Sequence, residues 1–269
     1  MSARAAKVSS LLCALALLGA IASAQAEVSQ QGTLRVSFEG TLSPKRLPRT
    51  GTAPIAVTVG GRIETTDGSL APQLQRLRIE LNRHGRLERR GLPLCRAAEI
   101  HPASTQRALR ACRSALVGQG RFSVDVVLAG QEPYPTSGRL LLFNGTYKGR
   151  AALLGQIYSE HPFSTSFLVP FSIEEIEGGR YGTALSASLP RALGDWGHVR
   201  ALSLRLHRHY TYRGQARSFI SAGCPAPEGF PGAVFPLART TFGFAGARRL
   251  RTSLTRSCTV GGGKGGQGG

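Results

Sequence analysis

The chain has 269 residues and carries 34 Lys and Arg against 15 Asp and Glu, a formal net charge of +19. Its only aspartates are Asp67, Asp125 and Asp195; glycoside chemistry needs two acids, Asp or Glu, facing one cleft, and no such pair stands out. A surface this positive attracts polyanions and repels its own copies.

At the N-terminus, Arg4 and Lys7 precede an apolar run from Leu11 to Ile21, and small residues follow from Ala22 to Ala26. This is the three-part pattern of a secretory signal. Ala24 and Ala26 fit the small-residue requirement for a cut before Glu27, and Ala22 and Ala24 would allow one before Gln25. Residues 1–26 are therefore read as a signal peptide, and the mature chain as secreted or extracytoplasmic. Loss of Arg4 and Lys7 with the signal lowers the net charge from +19 to +17. No later stretch is long and apolar enough to cross a bilayer as a helix.

Export sets the cysteine arithmetic. Cys13 falls in the discarded segment, which leaves Cys95, Cys112, Cys224 and Cys258. An even number in an oxidising compartment implies two disulfides. Of the three pairings, the sequential one, Cys95–Cys112 and Cys224–Cys258, makes two local staples, each expected to stabilise the fold by about 3–4 kcal/mol. No CxxC pair is present to grip zinc.

Beyond residue 30 the dominant pattern is alternation with a period of two, the mark of half-buried strands. It runs through Ile55 to Val59, Leu77 to Leu81, Phe122 to Leu128, Phe167 to Ile173 and Leu202 to Leu206. Leu140 to Phe143 is apolar on both faces, so that strand should be covered on both sides. Ser104 to Gly118 breaks the rule. Ala108, Leu109, Cys112, Leu116 and Val117 fall at helical spacing, with Ser104 or Thr105 as cap and Gly118 as stop. Turns are expected at Pro133-Tyr134-Pro135, Asn144-Gly145, Gly178-Gly179 and Cys224 to Pro227. About eleven strands and one short helix imply an antiparallel β-sandwich or a partly closed barrel. Residues 27–258 are read as one mainly-β domain; an internal boundary would fall near 131–138. Residues 259–269 form a Gly-rich tail.

No nucleophile elbow, metal-binding helix or phosphate loop is present, and no catalytic, cofactor or metal residue is assigned. Glu174, Glu175 and Glu177 flank a glycine pair and read as a solvated turn. Two clusters suit an anion. Arg86, Arg89 and Arg90 lie in a loop, where guanidinium groups reach phosphate, sulfate or carboxylate. Arg205, His207 and His209 share one face if this stretch is a strand, with the two imidazoles about 7 Å apart. Arg248, Arg249 and Arg251 form a further basic run beside a turn. The aromatic interleaving of single-stranded nucleic-acid platforms is absent, so no specific nucleic-acid partner is expected.

Asn82-Arg83-His84-Gly85, Gly91 to Cys95, Cys112 to Gly118 and Ala222 to Pro227 occur in that order. As a set they resemble exported hypothetical proteins of high-GC, actinobacterial type. The resemblance covers residues 40 to 258 and implies an exported bacterial protein. The function expected from the residues is non-catalytic binding of an anionic cell-envelope or extracellular partner, either an anionic polymer or an anionic membrane surface. The alternatives are a secreted hydrolase with a site assembled from dispersed residues, and a structural envelope component.

Overall fold

The computed structural model describes residues 26–161, 164–190 and 197–261. The proposed signal up to residue 25, Asp195 and the glycine run from residue 262 lie outside the described residues. In chain order come β1 (Glu27–Gln31), β2 (Leu34–Ser43), β3 (Arg46–Leu47), β4 (Ala53–Thr65), β5 (Leu74–Asn82), β6 (Gly85–Leu87) and β7 (Cys95–Arg96). Two helices follow, α1 (Ala97–Ile100) and α2 (Thr105–Cys112). The second half continues with β8 (Leu116–Val126), β9 (Tyr134–Tyr147), β10 (Arg150–Ser159), β11 (Thr165–Glu175), β12 (Tyr181–Ser188) and β13 (Gly197–Leu206). It ends with β14 (His209–Tyr212), β15 (Gln215–Ser218), β16 (Ile220–Ala222), β17 (Gly232–Phe244) and β18 (Arg249–Val260).

Eleven strands lie side by side in the order β2, β4, β13, β8, β9, β10, β11, β12, β5, β17, β18. The strands before and after residues 131–138 belong to this one sheet. It curls until β18 returns to the first strands, giving the expected mainly-β, partly closed barrel. Three contacts bridge the seam. Arg46 and Leu47 of β3 pair in parallel with Thr259 and Val260. Glu27 of β1 accepts hydrogen bonds from the Thr255 amide and from Arg256 Nη1, both at 2.8 Å. Arg256 Nε also donates to the Gly40 carbonyl. Gly40 allows a close approach here, where a β-carbon would stand 2.7 Å from Leu254 Cδ2 across the seam and 3.0 Å from the Thr58 carbonyl oxygen.

The period-two pattern sorts the two faces. Phe38, Val57, Leu77, Ile79, Phe122, Leu142, Leu153, Phe171, Leu204 and Phe242 all turn inward. The outer face of β5 carries a charged ladder, in which Glu80 meets Arg239 at 2.5 Å and Arg78 at 3.5 Å, while Arg78 reaches Glu174 at 2.7 Å. One outer patch is apolar. Leu141, Phe143, Ala152 and Leu154 of β9 and β10 pack beneath Ile100, Ala103 and Ala108 of the helical segment. This covering explains why Leu140 to Phe143 is apolar on both sides, and all four residues are buried.

The Cys95–Cys112 disulfide pins the helical segment to β7, which itself pairs with β9. Cys224–Cys258 ties the chain after β16 to the end of β18. Both sequential pairings are present. Ser104 caps α2 by accepting from the Arg107 amide. The helix stops earlier than its periodicity implied: a short 3₁₀ turn, Arg113–Ala115, follows Cys112, and Leu116 to Gly118 already belong to β8. Pairing of Leu116 with Phe143 captures the backbone there, and Gly118 permits close contact with Leu206 rather than closing a helix. At the C-terminus β18 runs to Val260, past the expected start of the tail.

Candidate functional site

Eight strands enclose a bore that side chains can fill, and bore diameter grows with strand number. Eleven strands here leave the inside under-filled. Val59, Leu77, Ile79, Leu81, Phe171, Leu202, Leu204, Leu206 and Leu237 are apolar and line the lumen, yet each is only partly buried. A close-packed interior would bury such residues fully. The space they leave measures about 210 Å³. A cavity of roughly 150 Å³ with Leu, Ile and Phe walls already stays dry and takes up benzene. On the wall, the hydroxyl of Thr240 is buried without a hydrogen-bond partner.

The two ends of the barrel differ. At one end β2, β5, β9, β13 and β18 finish, and their connections gather there. β16 pairs with both β4 and β6, and brings Phe219, Ile220 and Leu87 to the lumen wall. The Gly223 amide donates to the His84 carbonyl, and the Cys224 amide to the Pro48 carbonyl. Tyr210 donates its hydroxyl to the carbonyls of Glu88 and Arg90, at 3.1 and 3.0 Å. Gly91 adopts φ +83°, and a β-carbon there would overlap the ring of Tyr212, so the 88–94 loop and the β14–β15 hairpin lie in contact. These segments, residues 45–51, 83–96 and 205–224, hold twelve Lys and Arg and a single acid, Glu88. Glu88 is occupied by Ser221 Oγ at 3.1 Å and Arg217 at 3.7 Å. Lys148 and Arg150 stand at the same end, as do Glu175, Glu177 and Glu228. The opposite end carries Asp67, Glu132 and Glu160 beside Arg248 and Arg249. We refer to the first as the basic end.

All six residues expected from the sequence to suit an anion lie at this end, in different settings. Arg86 and Arg90 are exposed, and neither pairs with a carboxylate among the described residues. Arg89 is half-buried and holds the fold together, with Nε on Asn144 Oδ1 at 2.7 Å and Nη2 on the Gly145 carbonyl at 2.9 Å. Burial pulls its guanidinium below the usual arginine pKa. Asn144-Gly145 is accordingly not a turn. It lies inside β9 with the Asn144 amide buried and donating to the Pro93 carbonyl, and the chain reverses at Lys148-Gly149 instead. Arg205 is exposed on β13, but that strand ends at Leu206, so His207 and His209 do not share one strand face. Phe219 claims the Arg208 carbonyl and draws the chain away. Nδ1 of His207 is buried without a partner, while His209 opens β14 and is exposed.

Among the described residues, Cys95, Glu99 and Cys112 form a cluster of metal-capable groups, with both sulfurs taken by the disulfide. Glu99 caps α1 by accepting from the Arg96 amide. His198 Nδ1 lies 2.5 Å from the Ala71 carbonyl. The sequence pattern does not announce the lumen, although Val59, Leu77, Ile79, Leu81, Phe171, Leu202, Leu204 and Leu206 are each visible as members of alternating strands. The missing step is geometric, since only the curl of the whole sheet brings these strands around a common space that their side chains leave partly open.

No family model, curated protein or solved structure matches this chain.

Proposed function

We propose that the chain is an exported, non-catalytic binding protein that holds an apolar molecule in its barrel and acts at the anionic cell envelope. The observation that carries this reading is the lumen, an apolar cavity of about 210 Å³ whose walls are left partly bare. Bare apolar wall costs free energy in water, and an apolar ligand recovers it. Export is supported by the N-terminal signal pattern together with two disulfides, which persist in oxidising compartments. The envelope as the place of action is supported by the concentration of arginine at one end, where the lumen wall includes His84 and Arg86.

The test is uptake of an uncharged naphthylamine dye that fluoresces in apolar surroundings. Wild-type protein is expected to bind one equivalent saturably, with affinity little changed by salt, because an apolar pocket has no counterions to release. Leu204→Phe and Ile79→Phe place a ring in the cavity and should weaken uptake. A folded wild-type protein that takes up no dye, or variants that bind as wild type does, would sink this reading.

A further inference from the structure

Six large apolar side chains are exposed among the described residues, and four of them, Leu94, Tyr147, Phe230 and Val234, lie at the basic end. Leu94 leads into β7, and Tyr147 closes β9 just before its turn. Phe230, 60 % exposed, tips the loop before β17, and Val234, 75 % exposed, sits where β17 overhangs the end of β5. The Phe230 loop is held in place. Arg49 donates to the carbonyls of Ala226 at 2.9 Å, Phe230 at 2.8 Å and Pro227, and Cys224–Cys258 anchors its root. A loop so tied presents its aromatic tip rather than tucking it in.

Cations surround these tips. Lys45, Arg46, Arg83, Arg86, Arg90, Lys148 and Arg150 are all exposed at the same end, and Lys148 lies over the Tyr147 ring at 5.6 Å. A hydrated polyanion would use the charges and have no use for exposed Phe, Val and Leu. Apolar tips among Arg and Lys suit the boundary of a bilayer, where the tips enter the acyl layer and the cations meet anionic headgroups. From this pairing we propose that the basic end is a membrane-docking face for an anionic bilayer, with Phe230 and Val234 inserted and Arg83, Arg86 and Arg90 on headgroup phosphates. Docking this end sets the lumen wall at His84 to Leu87 against the lipid. That last link rests on the lumen reading; the docking face does not.

The experiment is vesicle flotation at low salt, comparing phosphatidylcholine alone with phosphatidylcholine containing a third phosphatidylglycerol. Wild-type protein should float with the anionic vesicles and not with the neutral ones. Arg83→Gln, Arg86→Gln and Arg90→Gln together, and Phe230→Ser with Val234→Ser, should each lower partitioning about tenfold or more. Arg248→Gln, Arg249→Gln and Arg251→Gln, at the opposite end, should leave it within about twofold. Arg89 is left intact because it supports Asn144 and Gly145. Phe230→Trp adds a readout independent of stability, since its emission should shift to the blue on anionic vesicles beyond any change from Trp196 in wild type. If the apolar pair floats as wild type does, the face binds polyanions in general and membrane docking is wrong. If the opposite-end triple costs as much as the first, overall charge is responsible and the assigned face is wrong. Failure of wild type to float overturns the docking face outright. Leu204→Phe should float normally, so lost dye uptake with intact flotation, or the reverse, tells the two proposals apart.

Discussion

A leucine on the inner wall and a leucine under the helix look alike in the sequence, and their surroundings make them differ. Leu204 faces unfilled space, whereas Leu154 is wholly buried against the helical cover. Overpacking a filled site forces side chains off their rotamers and costs about 1–3 kcal/mol. Leu154→Phe should therefore lower the melting temperature by several degrees, as about 1–3 kcal/mol does in a domain of this size. Leu204→Phe should cost less than about 1 kcal/mol because the added atoms enter the cavity. Equal losses in thermal melts would mean that the lumen is packed. The charged ladder on β5 gives a second prediction. The hydrogen bond from Arg239, helped by Arg78, holds the Glu80 carboxyl below its ordinary pKa. A pKa lowered by folding contributes stability above the unfolded value, and that stability is lost as pH falls through the folded value. Wild type should lose stability faster than Glu80→Gln as pH falls below about 4.3, the unfolded glutamate value, with a gap at neutral pH of up to about 1 kcal/mol. Parallel stability-versus-pH curves for the two proteins would refute the role of this ladder.

The strands and the disulfide pairing were legible in the sequence because both rest on local rules. Alternation placed Phe122 to Val126 and Leu202 to Leu206 on strands, although Leu128, expected to continue the first, lies past the end of β8, and Cys95, Cys112, Cys224 and Cys258 paired with their nearest partners. Legibility failed where distant chain decided local shape. Leu116 and Val117 fit a helical stripe, yet pairing with β9 made them strand. Asn144-Gly145 has the composition of a turn, and the remote Arg89 and Pro93 hold it extended and buried. His207 left the strand register because Phe219 binds the next carbonyl. The basic residues were legible as clusters, but the division between exposed Arg86 and Arg90 and the structural Arg89 needed the fold. One element offers a sharp test. The Cys95–Cys112 staple holds the helical cover over Leu141, Phe143 and Leu154, and no second disulfide secures it among the described residues. Cys95→Ser with Cys112→Ser should cost about 3 kcal/mol. Amide exchange should rise first in residues 97–115 while β13 stays protected. Loss of protection throughout the barrel at once would show that the cover is not a separate unit.

Across the whole molecule, the wall carries one further consequence, which is a matter of parity. Every neighbour in the circuit from β2 to β18 is antiparallel, and there are eleven strands. β18 therefore points the same way as β2, so no antiparallel ladder joins those two; β1, antiparallel to β2 and set against β18 at the seam, ladders only to β2 among the described residues. Parallel pairing is slightly weaker per residue, and across this seam, among the described residues, only Arg46 and Leu47 supply it, at the basic end. From there toward the opposite end the join depends on side chains, chiefly Glu27 and Arg256. The barrel is thus a cuff with a backbone clasp at one end and, beyond it, a seam where β1 lies against β18 without a backbone ladder. The Thr255 amide, whose partner is the Glu27 carboxylate, should exchange with solvent far faster than that of Leu141 in the middle of β9. Glu27→Ala should speed it further without disturbing Leu141. Equal protection at the two amides would mean the cuff is sealed. Unequal protection would make this seam the weakest line of the wall, while the clasped end stays shut.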